Sequence, residues 1–343
     1  MPRRRPLLRR DWRLPAIAVL MVMLAPGTWL RSPLPEPDLR QILHVEAIPA
    51  KKDGFASACA PVVLRKAWHL TSPNDLFGGF SALVTLDDGR FLAGSDRGAM
   101  MIFDSPEAPA SQNALPPKLW QPAATGAIKR NADLEALTRD PKTGQVWGGF
   151  EYTNSITRYD AELTPEKNFA PPAMRDWWPN SGPEAVVRLN DGHFIVVAER
   201  ANSGEDHYSP ALLFPDDPVE EAEPIAFRFP TPDGMAPVDA TLLPDGRVAI
   251  LLRDVSFALP PRFHTRIVVG DPATIRPGKT WQISDLATLT DSALFENYEG
   301  LAAEPAGDGT VFLWMIADDN LAMFQRTLML KLQWDPAAAC AKP

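Results

Sequence analysis

Residues 182–200 read GPEAVVRLNDGHFIVVAER, and this stretch decides the fold. An apolar run, Ala185–Leu189, meets the turn Asn190-Asp191-Gly192 and returns as His193–Ala198. Two apolar runs joined by an Asp-Gly turn make a β-hairpin, because the tight hairpin turns need residues that tolerate positive φ. An acidic residue stands at each end: Glu184 before the hairpin, and Glu199, followed by Arg200, after it. The phrase recurs at residues 79–98 (GFSALVTLDDGRFLAGSDRG), 133–152 (DLEALTRDPKTGQVWGGFEY), 237–254 (PVDATLLPDGRVAILLRD) and 297–320 (NYEGLAAEPAGDGTVFLWMIADDN). The residues just before the Ala or Gly are Ser81, Glu135, Glu184, Asp239 and Glu299, spaced 49 to 60 residues apart. A repeat of that length built from short strands reads as a propeller blade. The five units, with further strand-like runs at Cys59–Leu70 and at the C-terminal end, predict an all-β propeller of six blades. Its sheets are mostly four-stranded and antiparallel. Helical periodicity is scarce; Ile283–Leu294 reads as a short helix or a loop.

Composition fits one large globular domain: 343 residues, 45% apolar and 22% charged. Many of the 36 prolines fall between strand-like runs, where they set turns without interrupting ladders. The net charge of −9 argues against a nucleic-acid partner, since phosphate backbones are held by basic surfaces.

The N-terminus differs. Arg3, Arg4, Arg5, Arg9, Arg10 and Arg13 precede an apolar run, Leu14–Leu24. A basic region followed by a short apolar one is the layout of an export signal. Residues 1–30 are therefore read as a signal peptide or membrane anchor, 31–55 as a linker and 56–343 as the propeller. On this reading the protein is periplasmic or otherwise extracytoplasmic, a monomer, and meets the membrane only through its N-terminal segment. Cys59 and Cys340 flank the repeats; in an oxidising compartment they are expected to pair and tie the ring's two ends together.

The chemistry sits at two recurring positions. One is the residue before each inner strand: Glu135, Glu184, Asp239 and Glu299, which are the candidate catalytic carboxylates. The other closes the next strand: Asp96, Glu151, Glu199, Asp254 and Asp318. Equivalent blade positions form a ring at one mouth of the channel, and like charges about 4 Å apart repel by about 4 kcal/mol at an effective dielectric near 20. Such a ring requires cations, shifted pKa values or interleaved arginines. Arg97, Arg200, Arg253 and Arg326 stand beside or close to these tips. The set fits a divalent cation, Ca²⁺ foremost, with Asp96, Glu199 and Asp318 as ligands. Arg97, Arg200, Arg326 and Asn320 would hold a small anionic or ester substrate. The opposing reading is that these carboxylates cap loops and pair with arginines between blades. No Gly-x-Ser-x-Gly elbow, paired histidine motif or phosphate-cradling glycine loop is present. Ser81, the only one of the five that is neither acidic nor charged, reads as a gap through which substrate enters.

Asp133-Leu134-Glu135-Ala136-Leu137, Gly182-Pro183-Glu184-Ala185, Ala198-Glu199-Arg200 and Asn297-Tyr298-Glu299-Gly300-Leu301 resemble the phytase-like domain family, described as "esterase-like activity of phytase". So do Ala317-Asp318-Asp319-Asn320 with Gln325-Arg326-Thr327-Leu328, and Ser95-Asp96-Arg97-Gly98. The resemblance spans roughly residues 60–335. It implies a β-propeller and a hydrolase of phosphate or other esters, with calcium. The competing reading is a non-catalytic propeller that binds a ligand or protein of the cell envelope.

Overall fold

The computed structural model describes residues 12–29, 36–57, 62–108, 115–122, 133–178, 180–200, 207–256 and 261–338. Residues 1–38 form one unit, in which Arg13–Trp29 is a helix, α1. No described helix is long and apolar enough to cross a membrane. Cys59 and Cys340 lie outside the described residues.

The second unit, residues 39–343, is a propeller of five blades, not the six expected. It begins inside the segment read as linker, with β1 (His44–Ile48), β2 (Phe55–Ser57) and β3 (Val62–Thr71). The first blade is β4 (Phe80–Thr85), β5 (Arg90–Ser95), β6 (Met100–Asp104) and β7 (Lys118–Trp120). The second is β8 (Leu134–Arg139), β9 (Val146–Phe150), β10 (Ser155–Tyr159) and β11 (Pro165–Phe169). The third is β12 (Pro183–Arg188), β13 (Phe194–Ala198), β14 (Tyr208–Phe214) and β15 (Ile225–Pro230). The fourth is β16 (Ala236–Leu242), β17 (Val248–Ser256), β18 (Arg262–Gly270) and β19 (Ile283–Leu289), with β2 on its outer edge. The fifth is β20 (Asn297–Pro305), β21 (Val311–Asp318) and β22 (Leu328–Trp334), followed by β3 and then β1.

The missing sixth blade has a simple cause. The strand-like run before the first repeat founds no blade of its own. As β3 it pairs antiparallel with the C-terminal β22, so both chain ends complete the fifth sheet. Ile283–Leu289, read as a short helix or loop, is a strand, and only Ser292–Leu294 forms a helical turn.

Burial along the strands follows from packing sheets face to face. Inner strands are covered on both faces, so β12 and β13 read as nearly continuous apolar runs. The outer β11 alternates between half-buried and exposed residues. The buried apolar side chains gather at each of the five blade-to-blade contacts, which makes the ring closed. Tryptophans fill these wedges: Trp314 stacks on Trp68 at 5.8 Å, Trp147 meets Phe194 at 5.0 Å, and Trp281 meets Phe227 at 5.9 Å. Near the axis there is no room for such bulk. A Cβ on Gly300 would stand 2.5 Å from Ile316 Cγ2 and 3.0 Å from the Ala82 carbonyl carbon.

The seam between first and last blades carries its own clamp. Lys66 on β3 and Lys331 on β22 are register partners and would repel. Glu107, in the loop after β6, binds both: Lys66 Nζ at 2.9 Å, and the buried Lys331 Nζ by a short contact. Lys331 also lies over Phe312, 3.6 Å from the ring centre. Replacing Glu107 by Ala leaves a buried ammonium without its counter-charge, and is expected to cost about 1–3 kcal/mol of unfolding free energy. Urea denaturation checks this; an unchanged midpoint would show that the clamp does not hold the seam.

Candidate functional site

Each inner strand breaks its ladder at the same place. Opposite its neighbour, one extra residue is left unpaired: Ser81 in the first blade, Glu135 in the second, Glu184 in the third, Val238 in the fourth and Glu299 in the fifth. A bulge of this kind re-aims a side chain that regular pleating would have sent elsewhere. It explains how an acidic residue can precede an apolar strand and serve the mouth of the channel. Beside each bulge lies a residue of the second strand or one directly after it: Asp96, Glu151 and Glu199 just past β5, β9 and β13, Arg253 within β17, and Asp318 at the end of β21.

The fourth blade therefore departs by one residue from the sequence reading. Val238 is the counterpart of Glu135 and Glu184, and Arg253, not Asp254, is the counterpart of Glu151 and Glu199. Asp239 takes the place held elsewhere by Ala82, Ala136, Ala185 and Gly300. It is fully buried, and its Oδ2 accepts from the Leu301 N–H at 2.7 Å and its Oδ1 from the Ala240 N–H at 2.8 Å. The Leu83 N–H, across the axis in the first blade, also donates to it. Burial raises its pKa well above the usual range, against those three donors. Asp239 is a plug that ties blades together and is not part of the carboxylate ring.

The other carboxylates do converge. Glu184, Glu199, Glu299 and Asp318 are each at most 9% exposed. Oxygens of Asp133, Glu135 and Glu151 lie within 4.8 Å of one another, and so do those of Glu151, Glu184 and Glu199. Gly182 permits this approach, since a Cβ there would stand 2.6 Å from the Glu151 backbone. Between the carboxylates sits Arg253. Its Nη2 donates to Glu199 Oε1 at 3.1 Å, and its Nη1 to Asn297 Oδ1 at 3.0 Å and, in a short contact, to Glu299 Oε1. Asn297 Nδ2 links Glu299 Oε1 at 3.0 Å to Asp318 Oδ2 at 3.2 Å.

Crowding changes the acidities. Burial and then the charges of Glu299 and Asp133 raise Glu135 well above the usual range. Burial and then Glu135 and Glu199 do the same to Glu184. Glu151 rises to about 7, through burial and then Asp133 and Glu199, against a hydrogen bond with Glu184 that favours its ionised form. Asp318 rises to about 8, through burial and then Glu299, against the Asn320 N–H. Glu299 rises less freely, because Arg253 opposes its burial. Burial would lower Arg253, but the charges of Glu299, Glu199, Glu184 and Glu135 raise it.

The remaining sequence candidates are distributed differently. Asp96 faces the ring, where its charge raises Glu135, Glu299 and Asp318. Asn320 donates its N–H to Asp318 Oδ1 at 2.6 Å, while its side chain turns to Gln325. Arg200 is exposed, with Nε 3.7 Å from Glu199 Oε2. Arg97 donates its N–H to Ser95 Oγ and receives Gln121 Nε2 on its carbonyl. Arg326 is held away from the ring by Glu296, at 2.7 Å, and by the Ala293 carbonyl. Of the pair Trp177-Trp178, Trp177 is buried and Trp178 is exposed. Asp133 and Asn297 were missed; both stand two residues before a bulge, a position that is Gly79, Gly182 and Ala236 in the other blades, so repetition gave it no polar signal.

The donor set is all hard oxygen and carries more negative charge than Arg253 neutralises, which fits an oxygen-coordinated divalent cation. The opposite end of the inner strands differs. A cavity of about 220 Å³ there holds Arg139 and Arg188, but Arg139 binds both oxygens of Asp87 and Arg188 lies 3.2 Å from Asp140. Charge is compensated pairwise there, unlike at the acidic mouth.

The family model "Esterase-like activity of phytase" matches residues 75–321, most of the propeller. The chain belongs to the Phytase-like family. No curated protein matches it. Among solved structures the Phytase-like chain is similar to hydrazine synthase from Kuenenia stuttgartiensis, at 12% identity over 71% of this chain and 77% of that one, with a TM-score of 0.41. It is similar to a chain of a nidogen/laminin complex, at 10% identity over 80% and 88%, with a TM-score of 0.43. A luciferin-regenerating enzyme follows, at 12% over 88% and 100%, with a TM-score of 0.40.

Two outcomes follow from the ring's electrostatics. Folded Glu151 and Asp318 keep their protons up to about pH 7 and 8, whereas the unfolded groups release them near 4.5 and 3.8. Their stabilisation is complete below those lower values and is lost as pH rises through the higher ones. Urea midpoints of cation-free protein are expected to fall between pH 5 and pH 8.5; a rise would contradict the clustering. Glu184→Gln removes a repelling charge and is expected to raise the midpoint at pH 8.5. Asp239→Ala strands three backbone donors and is expected to lower stability by about 3 kcal/mol or more.

Proposed function

We propose that this Phytase-like propeller hydrolyses esters, phosphate monoesters foremost, at its acidic mouth with the help of a divalent cation, Ca²⁺ foremost. The observation that carries the reading is the convergence of carboxyl groups from four blades around Arg253, with two of them raised to about 7 and about 8. Catalytic acids and bases need pKa values near the working pH, and burial among like charges is how proteins obtain them.

Asp133 and Glu135 on one side of Glu151, and Glu184 and Glu199 on the other, would hold the cation and leave the Glu151 carboxylate for proton transfer. When bound, it supplies Lewis-acid polarisation of the ester and acidifies water. The side chains supply the rest. Arg253 offers its guanidinium to the anionic head, using donors now turned to Glu199 and Glu299. Glu151, near neutrality, accepts a proton from the attacking water. Asp318, still protonated at neutral pH, donates one to the leaving oxygen. One P–O bond forms to water, one breaks to the alcohol, and the two proton transfers balance. The buried site, screened from bulk solvent, strengthens each of these interactions. The arginine-rich start followed by Leu14–Leu24 supports an extracytoplasmic address.

The purified protein is expected to turn over p-nitrophenyl phosphate, more slowly p-nitrophenyl acetate, and to lose activity with chelator and regain it with Ca²⁺. Glu151→Gln is expected to lower kcat by about a hundredfold, the scale of a lost general base. The pH–rate profile should be bell-shaped, with limbs near 7 and 8. Absence of turnover on both substrates, with no thermal shift on adding Ca²⁺, would sink the hydrolase reading and favour a binding propeller.

A further inference from the structure

Beside the acidic mouth stands an apolar one. The loop joining β21 to β22 carries Leu321, Met323 and Phe324, which are 55%, 96% and 66% exposed. Three large apolar side chains within four residues form a patch, not a scatter, and such patches mark contact sites.

The loop is fixed in place. The Leu321 N–H donates to Asp319 Oδ1 at 3.0 Å, and Thr327 Oγ1 to Asp319 Oδ2 at 3.0 Å. The Ala322 N–H reaches the Asp319 carbonyl at 2.8 Å, and Asn320 Nδ2 reaches Gln325 Oε1 at 2.6 Å. Asn320 and Leu321 are held at φ of 47° and 50°, a left-handed conformation that a leucine adopts only under constraint. Leu321 lies over Gly78, where a Cβ would stand 2.9 Å from Leu321 Cδ2, next to half-buried Leu76 and Phe77. Asp318 joins patch to ring: its Oδ1 anchors the loop through Asn320, and its Oδ2 meets Asn297 within the ring.

A rigid apolar surface that begins where a buried polar site ends fits a ligand with both characters. We infer that Leu321, Met323 and Phe324 receive the hydrocarbon chain of a single-chain amphiphilic ester whose polar head enters the ring. For the head group this rests on the hydrolase reading; for the chain it rests on the patch alone. Short-chain esters would use the ring without the patch.

Calorimetric binding of methylphosphonate and of n-octylphosphonate, below its micelle concentration and with Ca²⁺ present, tests this and separates the two readings. The octyl compound is expected to bind at least about tenfold more tightly, from burial of several methylene groups. In the double variant Met323→Ser with Phe324→Ser, that advantage should fall to about twofold while methylphosphonate binding stays unchanged. Both positions are exposed, so the variant keeps its fold, which circular dichroism verifies. Equal binding of the two phosphonates, or an advantage untouched by the variant, overturns the inference and leaves the hydrolase reading standing. Binding of the octyl compound alone, lost in the variant, supports the patch while removing the ring as an anion site. Failure of both to bind overturns both. Sedimentation with phosphatidylglycerol vesicles, if abolished by the same variant while the phosphonates bind alike, would assign the patch to a membrane surface and overturn it.

Discussion

Repulsion among carboxylates is the constraint that organises this molecule. Blades one, two, three and five press acidic side chains toward one axis, and blade four answers with Arg253. Like charges this close cannot all ionise, so protons are retained to unusually high pH. The repulsion would be relieved by opening the ring, and what prevents opening is distant from it. Packed wedges fill every blade contact, and β3 is zipped against β22 at the seam. Hydrophobic burial over the whole propeller thus sustains a small, electrostatically unfavourable site, which is how folded proteins keep functional groups in costly surroundings.

The device that delivers the charges is modest. One unpaired residue per inner strand turns a side chain to the mouth, and the same bulge occurs in all five blades. The scaffold is therefore nearly symmetric while the chemistry is not. Blades two and three supply the groups close enough to share a cation. Blade four contributes Val238 and Arg253, and blade five contributes Asn297, Glu299 and Asp318 as a hydrogen-bonded relay. That asymmetry gathers the crowded carboxylates on one side of the mouth and sets the guanidinium of Arg253 with its hydrogen-bonded partners on the other. Its rim continues on the fifth blade into the apolar loop at Leu321–Phe324, so polarity changes across a single residue pair, Asp319-Asn320.

Much of this was legible in the chain. Apolar runs of five or six residues broken by Asp-Gly turns can only become hairpins, since the turn chemistry and strand periodicity are local properties. The repeat of those hairpins specified a propeller, and Glu135, Glu184, Glu199, Glu299 and Asp318 were found by repetition alone. Blade number was not legible, because a strand-like run before the first repeat can either start a sheet or complete one. Which it does depends on its partner, and β3 pairs with a strand more than 250 residues away.

Register was likewise invisible. Asp239 precedes an alanine just as Glu184 does, so by character the two look equivalent. A bulge shifts side-chain direction by one residue, and its position is set by cross-strand hydrogen bonds that sequence does not encode locally. Only the folded ladder makes Asp239 a buried acceptor of backbone N–H groups and puts Arg253 among the acids. By itself the sequence determined the strands, their turns and the recurring acidic character, all consequences of short-range physics. The tertiary structure decided the closure of the ring, the identity of its members and their shifted acidities, because those arise from contacts between residues far apart in the chain.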